Sequence, residues 1–293
     1  KATAKAKCTV NKNITLYAVQ KKAVQLTFHR CDGSTWQKTT LAKGSSYSLP
    51  GVRDAEGYTF MGWSTKPMQS VSPQYEAEEK ITVNGNVDLY AVVFNRTTET
   101  DLTEDQLPQV DIYKYKQVIF VGDSRTEFME NVLTGMGESA TKNVKFVCSA
   151  GKGLDWFTTT GWAQLYSIVQ HDSNSILSKK TAVIFNFGVN DLSKSADYAE
   201  YYNWIAPQLK SKGCELYFMS VNPVNRLMLP NAGRADRSEA AVRSFNQYMK
   251  ANLSSAYTYI DMYSYLKSTG YSFASDHYGT GTVDDGLHYT TRT

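Results

Sequence analysis

The sequence predicts an α/β protein in two parts. A small β module stands at the front, and behind it lies a five-stranded parallel sheet covered by helices on both faces. Three observations predict this. A twelve-residue segment recurs at an offset of 73 residues. Past residue 112, five apolar strand-like runs alternate with segments of helical period, and such alternation is the pattern of a parallel sheet. The charge also divides. Residues 1–96 carry 13 basic and 7 acidic residues, and residues 97–293 carry 18 and 21, so the overall +3 hides +6 and −3. With 42% hydrophobic and 20% charged residues, the chain has material for a core, which argues against disorder. The near balance of charge excludes a nucleic-acid partner on electrostatic grounds. No apolar run approaches the roughly 18 residues of a membrane span.

The front module is read from its repeat. TVNKNITLYAVQ (9–20) and TVNGNVDLYAVV (82–93) share eight of twelve positions, a signature of repeat architecture. Residues 1–20 are then the end of a preceding repeat, and 21–96 a complete one. The chain is expected to start inside a longer array, Lys1 following a processing or trimming point. Val24, Leu26 and Phe28 alternate with Gln25, Thr27 and His29 in the β manner. Asp32-Gly33 predicts a hairpin turn before TWQKTT, and VDLYAVVF predicts a closing strand. In GYTFMGW (57–63) the aromatics Tyr58, Phe60 and Trp63 are expected to pack a small core; a sugar- or peptide-binding face is the alternative.

The DG turn, GYTFMGW and the VNGNVDLYAVV ending resemble the Listeria–Bacteroides repeat, also called the internalin-type B repeat. The resemblance covers about 75 residues. It implies a β-grasp-like module found in strings on bacterial surface and secreted proteins, and hence a secreted or cell-surface location. It carries no catalytic residues.

Residues 97–111 are polar and acidic and read as a linker. The strands of the second part (112–293) are expected at 117–122, 144–149, 181–188, 215–221 and 257–261. Helices are expected near 124–136, 162–179, 195–212 and 236–253. The cysteines, Cys8, Cys31, Cys148 and Cys214, have no CxxC spacing. Cys148 and Cys214 read as buried small hydrophobes; Cys8 and Cys31 are candidates for a disulfide if the chain is secreted, and the cysteines alone leave the disulfide status open.

Functional groups of a parallel sheet gather outside the carboxyl ends of its strands. There the sequence places Gly122-Asp123-Ser124-Arg125, then Ser149-Ala150-Gly151-Lys152-Gly153, then Gly188-Val189-Asn190-Asp191, and finally Asp284-Asp285-Gly286-Leu287-His288. A serine hydroxyl needs a base, and the base needs a group that holds its tautomer. Of the four histidines, His29 lies in the repeat and His171 in a polar helical stretch, leaving His288 and His277. His288 is preferred because Asp285 stands three residues upstream. Ser124 opens a helix, where negative charge is favoured; a capping serine is the plain alternative. The backbone N–H groups of Ser124 and Gly151 and the Asn190 amide would supply an oxyanion site.

GDS at 122–124, the glycine after the second strand, GVND and DGLH resemble the four blocks of the SGNH (GDSL-type) hydrolases, over about 180 residues. The resemblance implies a three-layer α/β/α sandwich with flavodoxin-like strand order. It also implies Ser124 as nucleophile, His288 as general base, Asp285 as its partner, and Ser124, Gly151 and Asn190 as the oxyanion hole. The reaction implied is ester hydrolysis with no cofactor and no metal. Two departures stand out. Arg125 replaces the family's leucine and is a candidate for binding an anionic or oxygen-rich substrate. The sequence also stops five residues after His288, where the family has a closing helix. Trp156 and Trp162 are candidates for stacking on sugar rings, or else pack in the core. A small-molecule or glycan ester is the expected substrate, with cell-wall or host glycan as the partner surface. The alternatives are an acyltransferase using the same residues and a surface adhesion protein with a degenerate hydrolase domain.

Overall fold

A computed structural model of the chain describes residues 7, 9–15, 17, 20–55, 57–96, 115–135, 137, 142–172, 180–230, 236–274 and 285–293. Half of residues 1–20, the expected linker and His277 lie outside the described residues.

The front module contains β1 (Ala23–His29), β2 (Thr35–Ala42), β3 (Ser45–Ser48), β4 (Tyr58–Ser64), β5 (Lys80–Val83) and β6 (Val87–Asn95). Its main sheet has the order β2-β1-β6-β4, and β3 pairs with β5 separately. β1 runs parallel to β6 and antiparallel to β2, across the Asp32-Gly33 turn. Asp32 accepts the Ser34 backbone N–H at 2.9 Å there. The alternating apolar residues Val24, Leu26 and Phe28 are buried, as are Phe60 and Trp63. Trp63 satisfies its indole N–H on the Pro50 carbonyl at 2.8 Å, the partner a buried tryptophan needs. Tyr58 departs from the core expectation: at the first position of β4 it is exposed.

The second sheet is wholly parallel, with strands β7 (Gln117–Gly122), β8 (Val144–Cys148), β9 (Thr181–Asn186), β10 (Cys214–Met219) and β11 (Tyr257–Ile260). Its order is β11-β10-β9-β7-β8, the flavodoxin-like order with a switch point at β7. β7 and β9 are nearly continuous apolar runs, as strands buried on both faces require. The connecting helices are Ser124–Gly135, Trp162–Asp172, Ser195–Ser211 and Glu239–Asn252. They bury one face each: Tyr198, Tyr202, Ile205 and Leu209 in the third, Val242, Phe245 and Met249 in the fourth. Before Trp162 the chain makes a short helical turn, Leu154–Trp156, and a π turn, Phe157–Gly161.

Three elements had no clear sequence signal. The helix Met262–Thr269 is short, and β12 (Phe273–Ala274) and β13 (His288–Tyr289) form a two-residue antiparallel ladder. Neither strand is long enough to show a period of two.

The two modules share a core. Met61 of β4 and Val92 of β6 are fully buried against Leu266, Tyr271, Phe273 and Tyr289. Beside this cluster the buried Lys267 donates to the Met61 carbonyl at 2.7 Å and pairs with Glu76 at 2.8 Å and Glu239 at 3.6 Å. Burial pushes the Lys267 ammonium down, but the two carboxylates more than offset it and hold it charged. Asn225, after β10, donates to the Val52 carbonyl at 3.1 Å and to Asp54 at 2.9 Å. Its own N–H donates to the Gly286 carbonyl at 2.8 Å. The front module therefore packs directly on the segments that carry His288.

Candidate active site

The first strand end sets the helix that carries Ser124. Asp123 caps it: its side chain accepts the Arg125 N–H at 3.0 Å, and its carbonyl accepts the Thr126 and Glu127 N–H groups at 3.0 Å. The cap is thus an aspartate, and the Ser124 hydroxyl turns elsewhere. Ser124 is buried, and its Oγ lies 2.9 Å from His288 Nε2. The Asp123 carboxyl is pushed up to about 6 by burial, against the pull of Arg125 and His288.

His288 is the first residue of β13 and is buried. Its Nδ1 lies 2.6 Å from Asp285 Oδ2. Burial raises the Asp285 carboxyl, but the bonds from the His288 ring and from the His288 and Leu287 backbone N–H groups, both 2.8 Å to Oδ1, outweigh it. Asp285 is held below the ordinary carboxylate range and accepts only. Nδ1 must then carry a proton, and in the neutral imidazole this leaves Nε2 as the acceptor for the Ser124 O–H. The tight Asp285–His288 turn depends on Gly286, whose φ of +72° is left-handed and whose added Cβ would lie 2.3 Å from the Asn225 carbonyl oxygen.

Gly151 and Asn190 stand at the neighbouring strand ends. β8 and β9 flank β7, with Gly122 in register with Cys148 and with Asn186. Among the described residues the N–H groups of Ser124 and Gly151 have no acceptor. The Asn190 Nδ2 donates to the Lys152 carbonyl at 2.8 Å, tying the two loops together. Asp191 ties them again, accepting Leu154 N–H at 2.8 Å and the Tyr198 hydroxyl at 2.7 Å. On the far side Glu127 accepts the Ala150 N–H at 2.6 Å.

Arg125 does not face a substrate. It is buried, and its guanidinium donates to the carbonyls of Leu287 (3.0 Å), Asn222 (3.2 Å) and Pro223 (3.1 Å), with its carbon 5.5 Å from the Tyr289 ring centre. These carbonyls project from segments without ladder partners, so a five-donor side chain is drawn inward. Trp156 also departs from the stacking expectation. It is half-buried, and its ring packs on Phe187, centre to centre 6.0 Å, and over Gly161. Trp162 is half-buried against Tyr166 at 5.3 Å.

Three residues escaped the sequence reading. Arg237 donates to Asn190 Oδ1 at 2.6 Å and to the Val189 carbonyl at 3.1 Å. Tyr198 and Glu127 brace the loops that carry Asn190 and Gly151. Arg237 lies in a loop with no motif around it; Tyr198 and Glu127 read as ordinary helix residues. His29 stacks on Tyr90 at 4.5 Å and bonds Asp88 at 2.9 Å, within the front module. Cys31 is exposed, Cys148 is half-buried and Cys214 buried. The Cys148 thiol donates to Glu130 at 3.2 Å, and burial pushes it above its usual range. Cys8 lies outside the described residues.

Comparison with solved structures finds similar chains in bacteria. A proposed acylhydrolase from Bacteroides fragilis is 17% identical with a TM-score of 0.39, covering 64% of this chain and 84% of that one. A proposed SGNH hydrolase from Slackia heliotrinireducens is 12% identical with a TM-score of 0.41, covering 60% and 91%. A Bacillus subtilis protein is 12% identical with a TM-score of 0.32, covering 84% and 88%. Comparison with curated proteins finds no match. The family model of the Listeria-Bacteroides repeat domain matches residues 25–92, within the stretch that folds into β1 to β6.

Proposed function

We propose that the chain is a serine esterase of the SGNH type, working through an acyl-enzyme on Ser124. The observation that carries this reading is the unbroken hydrogen-bond line from Ser124 Oγ through His288 to Asp285, at 2.9 and 2.6 Å. Such a line, with the imidazole tautomer held by an ionised carboxylate, is what a serine needs to become nucleophilic at neutral pH. It favours an enzyme over an adhesion protein with a degenerate hydrolase domain.

In the proposed reaction Ser124 Oγ attacks the ester carbonyl while its proton passes to His288 Nε2. The Asp285 carboxylate stabilises the imidazolium that forms. The developing oxyanion meets the N–H groups of Ser124 and Gly151, which have no acceptor among the described residues, and the second Nδ2 hydrogen of Asn190. His288 then gives its proton to the leaving alcohol. Water attacks the acyl-enzyme with His288 again as base, which restores Ser124 and releases the acid.

For the substrate we propose O-acetyl groups on a carbohydrate or cell-wall glycan. The support is the repeat module, a type typical of surface and secreted proteins, which fits a secreted or cell-surface location. The test is Ser124→Ala in the full chain, measured by p-nitrophenyl acetate hydrolysis, acetate release from acetylated xylan and peptidoglycan, and labelling by a fluorophosphonate. The variant is expected to lose turnover and labelling together. Turnover retained by the alanine variant refutes the assignment.

A further inference from the structure

An asparagine amide serves as an oxyanion donor only if its NH2 end faces the oxyanion, and the amide itself has no strong preference between its two ends. Around Asn190 the preference comes from two partners of opposite character. The Lys152 carbonyl, which can only accept, lies 2.8 Å from Nδ2. The Arg237 guanidinium, which can only donate, lies 2.6 Å from Oδ1. A flipped amide would set donor against donor and acceptor against acceptor. Arg237 also donates from Nε to the Val189 carbonyl at 3.1 Å, so one rigid fork holds both the side chain of Asn190 and the backbone just before it. Among the described residues one Nδ2 hydrogen remains uncommitted.

We propose that Arg237 is a positioning residue for the reaction, acting through Asn190. It locks the amide so that the free Nδ2 hydrogen faces the reacting carbonyl, and it polarises the amide so that this N–H donates more strongly as negative charge develops. Polarisation of this kind runs along hydrogen-bond chains, and a full positive charge at the carbonyl end is its strongest form. Arg237 does not touch the reacting atoms and gains nothing once Asn190 is removed. The inference rests on the esterase reading above.

The experiment is a double-mutant cycle in the full chain: wild type, Arg237→Met, Arg237→Lys, Asn190→Ala, and R237M with N190A. The readouts are kcat and KM for p-nitrophenyl acetate and the rate of Ser124 labelling by a fluorophosphonate, whose phosphoryl oxygen occupies the same oxyanion site. Asn190→Ala is expected to lower kcat by about 100-fold or more. Arg237→Met is expected to lower it by roughly 10- to 100-fold, the cost of a misplaced catalytic donor, with KM changed by less than about threefold. Arg237→Lys should recover part of the loss, since an ammonium can still donate to Oδ1. The double variant should be slower than Asn190→Ala by no more than about twofold, because the two residues act as one unit.

Multiplicative losses overturn the proposal, as does a change in KM alone, which would make Arg237 a substrate-binding group. If circular dichroism shows that Arg237→Met does not fold, Arg237→Lys takes its place in the cycle under the same criteria. A wild-type chain that is not labelled at Ser124 removes the esterase reading and this inference with it. A labelled wild type with independent variants removes the inference alone.

Discussion

Arg125→Leu would install the leucine expected from the resemblance to SGNH hydrolases, and here it should be costly. The Arg125 guanidinium is buried and donates to three carbonyls, those of Leu287, Asn222 and Pro223, at 3.0 to 3.2 Å. A hydrogen bond from a charged donor contributes about 1.5–3 kcal/mol, and a buried acceptor left without a donor costs about 1–3 kcal/mol. The Asn222 contact is only partly buried, so water can replace that bond, and the Pro223 carbonyl keeps the Tyr289 hydroxyl as a donor, which leaves the Leu287 carbonyl as the orphaned acceptor. The contact with the Tyr289 ring adds about 0.5–2 kcal/mol. Because these terms share one side chain they do not add fully, and a loss of roughly 3–5 kcal/mol is expected. For a chain of this size that corresponds to a fall in Tm of about 6–20 °C. The damage should also reach the chemistry, since Leu287 precedes His288 and its carbonyl is one of the three. Urea unfolding followed by circular dichroism gives the stability. The fluorophosphonate labelling rate, taken at a temperature where the variant is folded, gives the alignment of His288 with Ser124. Arg125→Lys should fall between, because an ammonium cannot span three carbonyls. A leucine variant within about 1 kcal/mol of wild type, labelled at the wild-type rate, would refute the argument.

Two further substitutions probe the site from other sides. Gly153→Ala would place a Cβ 2.3 Å from Asp191 Oδ2, an atom pinned by Leu154 N–H. It is expected to cost about 1–3 kcal/mol and to slow Ser124 labelling through the Asn190 loop; wild-type behaviour on both counts would show that the loops are not coupled. Asp123→Asn addresses pH. The folded-state value of Asp123 is raised from 3.8 to about 6, so its contribution to stability is present below the ordinary carboxylate value and is lost as pH rises through about 6. Asparagine keeps the acceptor for the Arg125 N–H and does not ionise. Its advantage over wild type should therefore be larger at pH 8 than at pH 5, by about 1.4 kcal/mol. Urea midpoints at the two pH values measure this, and an equal difference at both would refute it.

Much of the scaffold was legible because its signals are local. QVIFVG and TAVIFNFG are apolar runs ending at small or polar residues, and β7 covers 117–122 as expected while β9 ends two residues short, at Asn186. The spacing of Ala241, Phe245, Tyr248 and Met249 carried the helix Glu239–Asn252 in the same way, although Ala241 is only partly buried and Tyr248 is exposed. The front repeat was legible from self-similarity. The short ladder of β12 and β13 was not, because two residues have no period. The module junction was not, because Met61 and Val92 read as ordinary strand residues and only folding brings Leu266 and Tyr289 onto them.

The same division runs through the site. The residue types at the strand ends are written in the local sequence, and scarcity of histidine pointed to His288 beside Asp285. Tertiary structure decided where the long side chains go. Arg125 turns inward because three carbonyls outside the sheet ladders converge on it, those of Leu287, Asn222 and Pro223. Arg237 arrives at Asn190 from a loop 47 residues away in sequence. Local periodicity dictates strands and helices because those are satisfied within a few residues of chain. A guanidinium on a long flexible stem is satisfied by whichever acceptors the assembled fold leaves bare, and no nearby residue records which those will be.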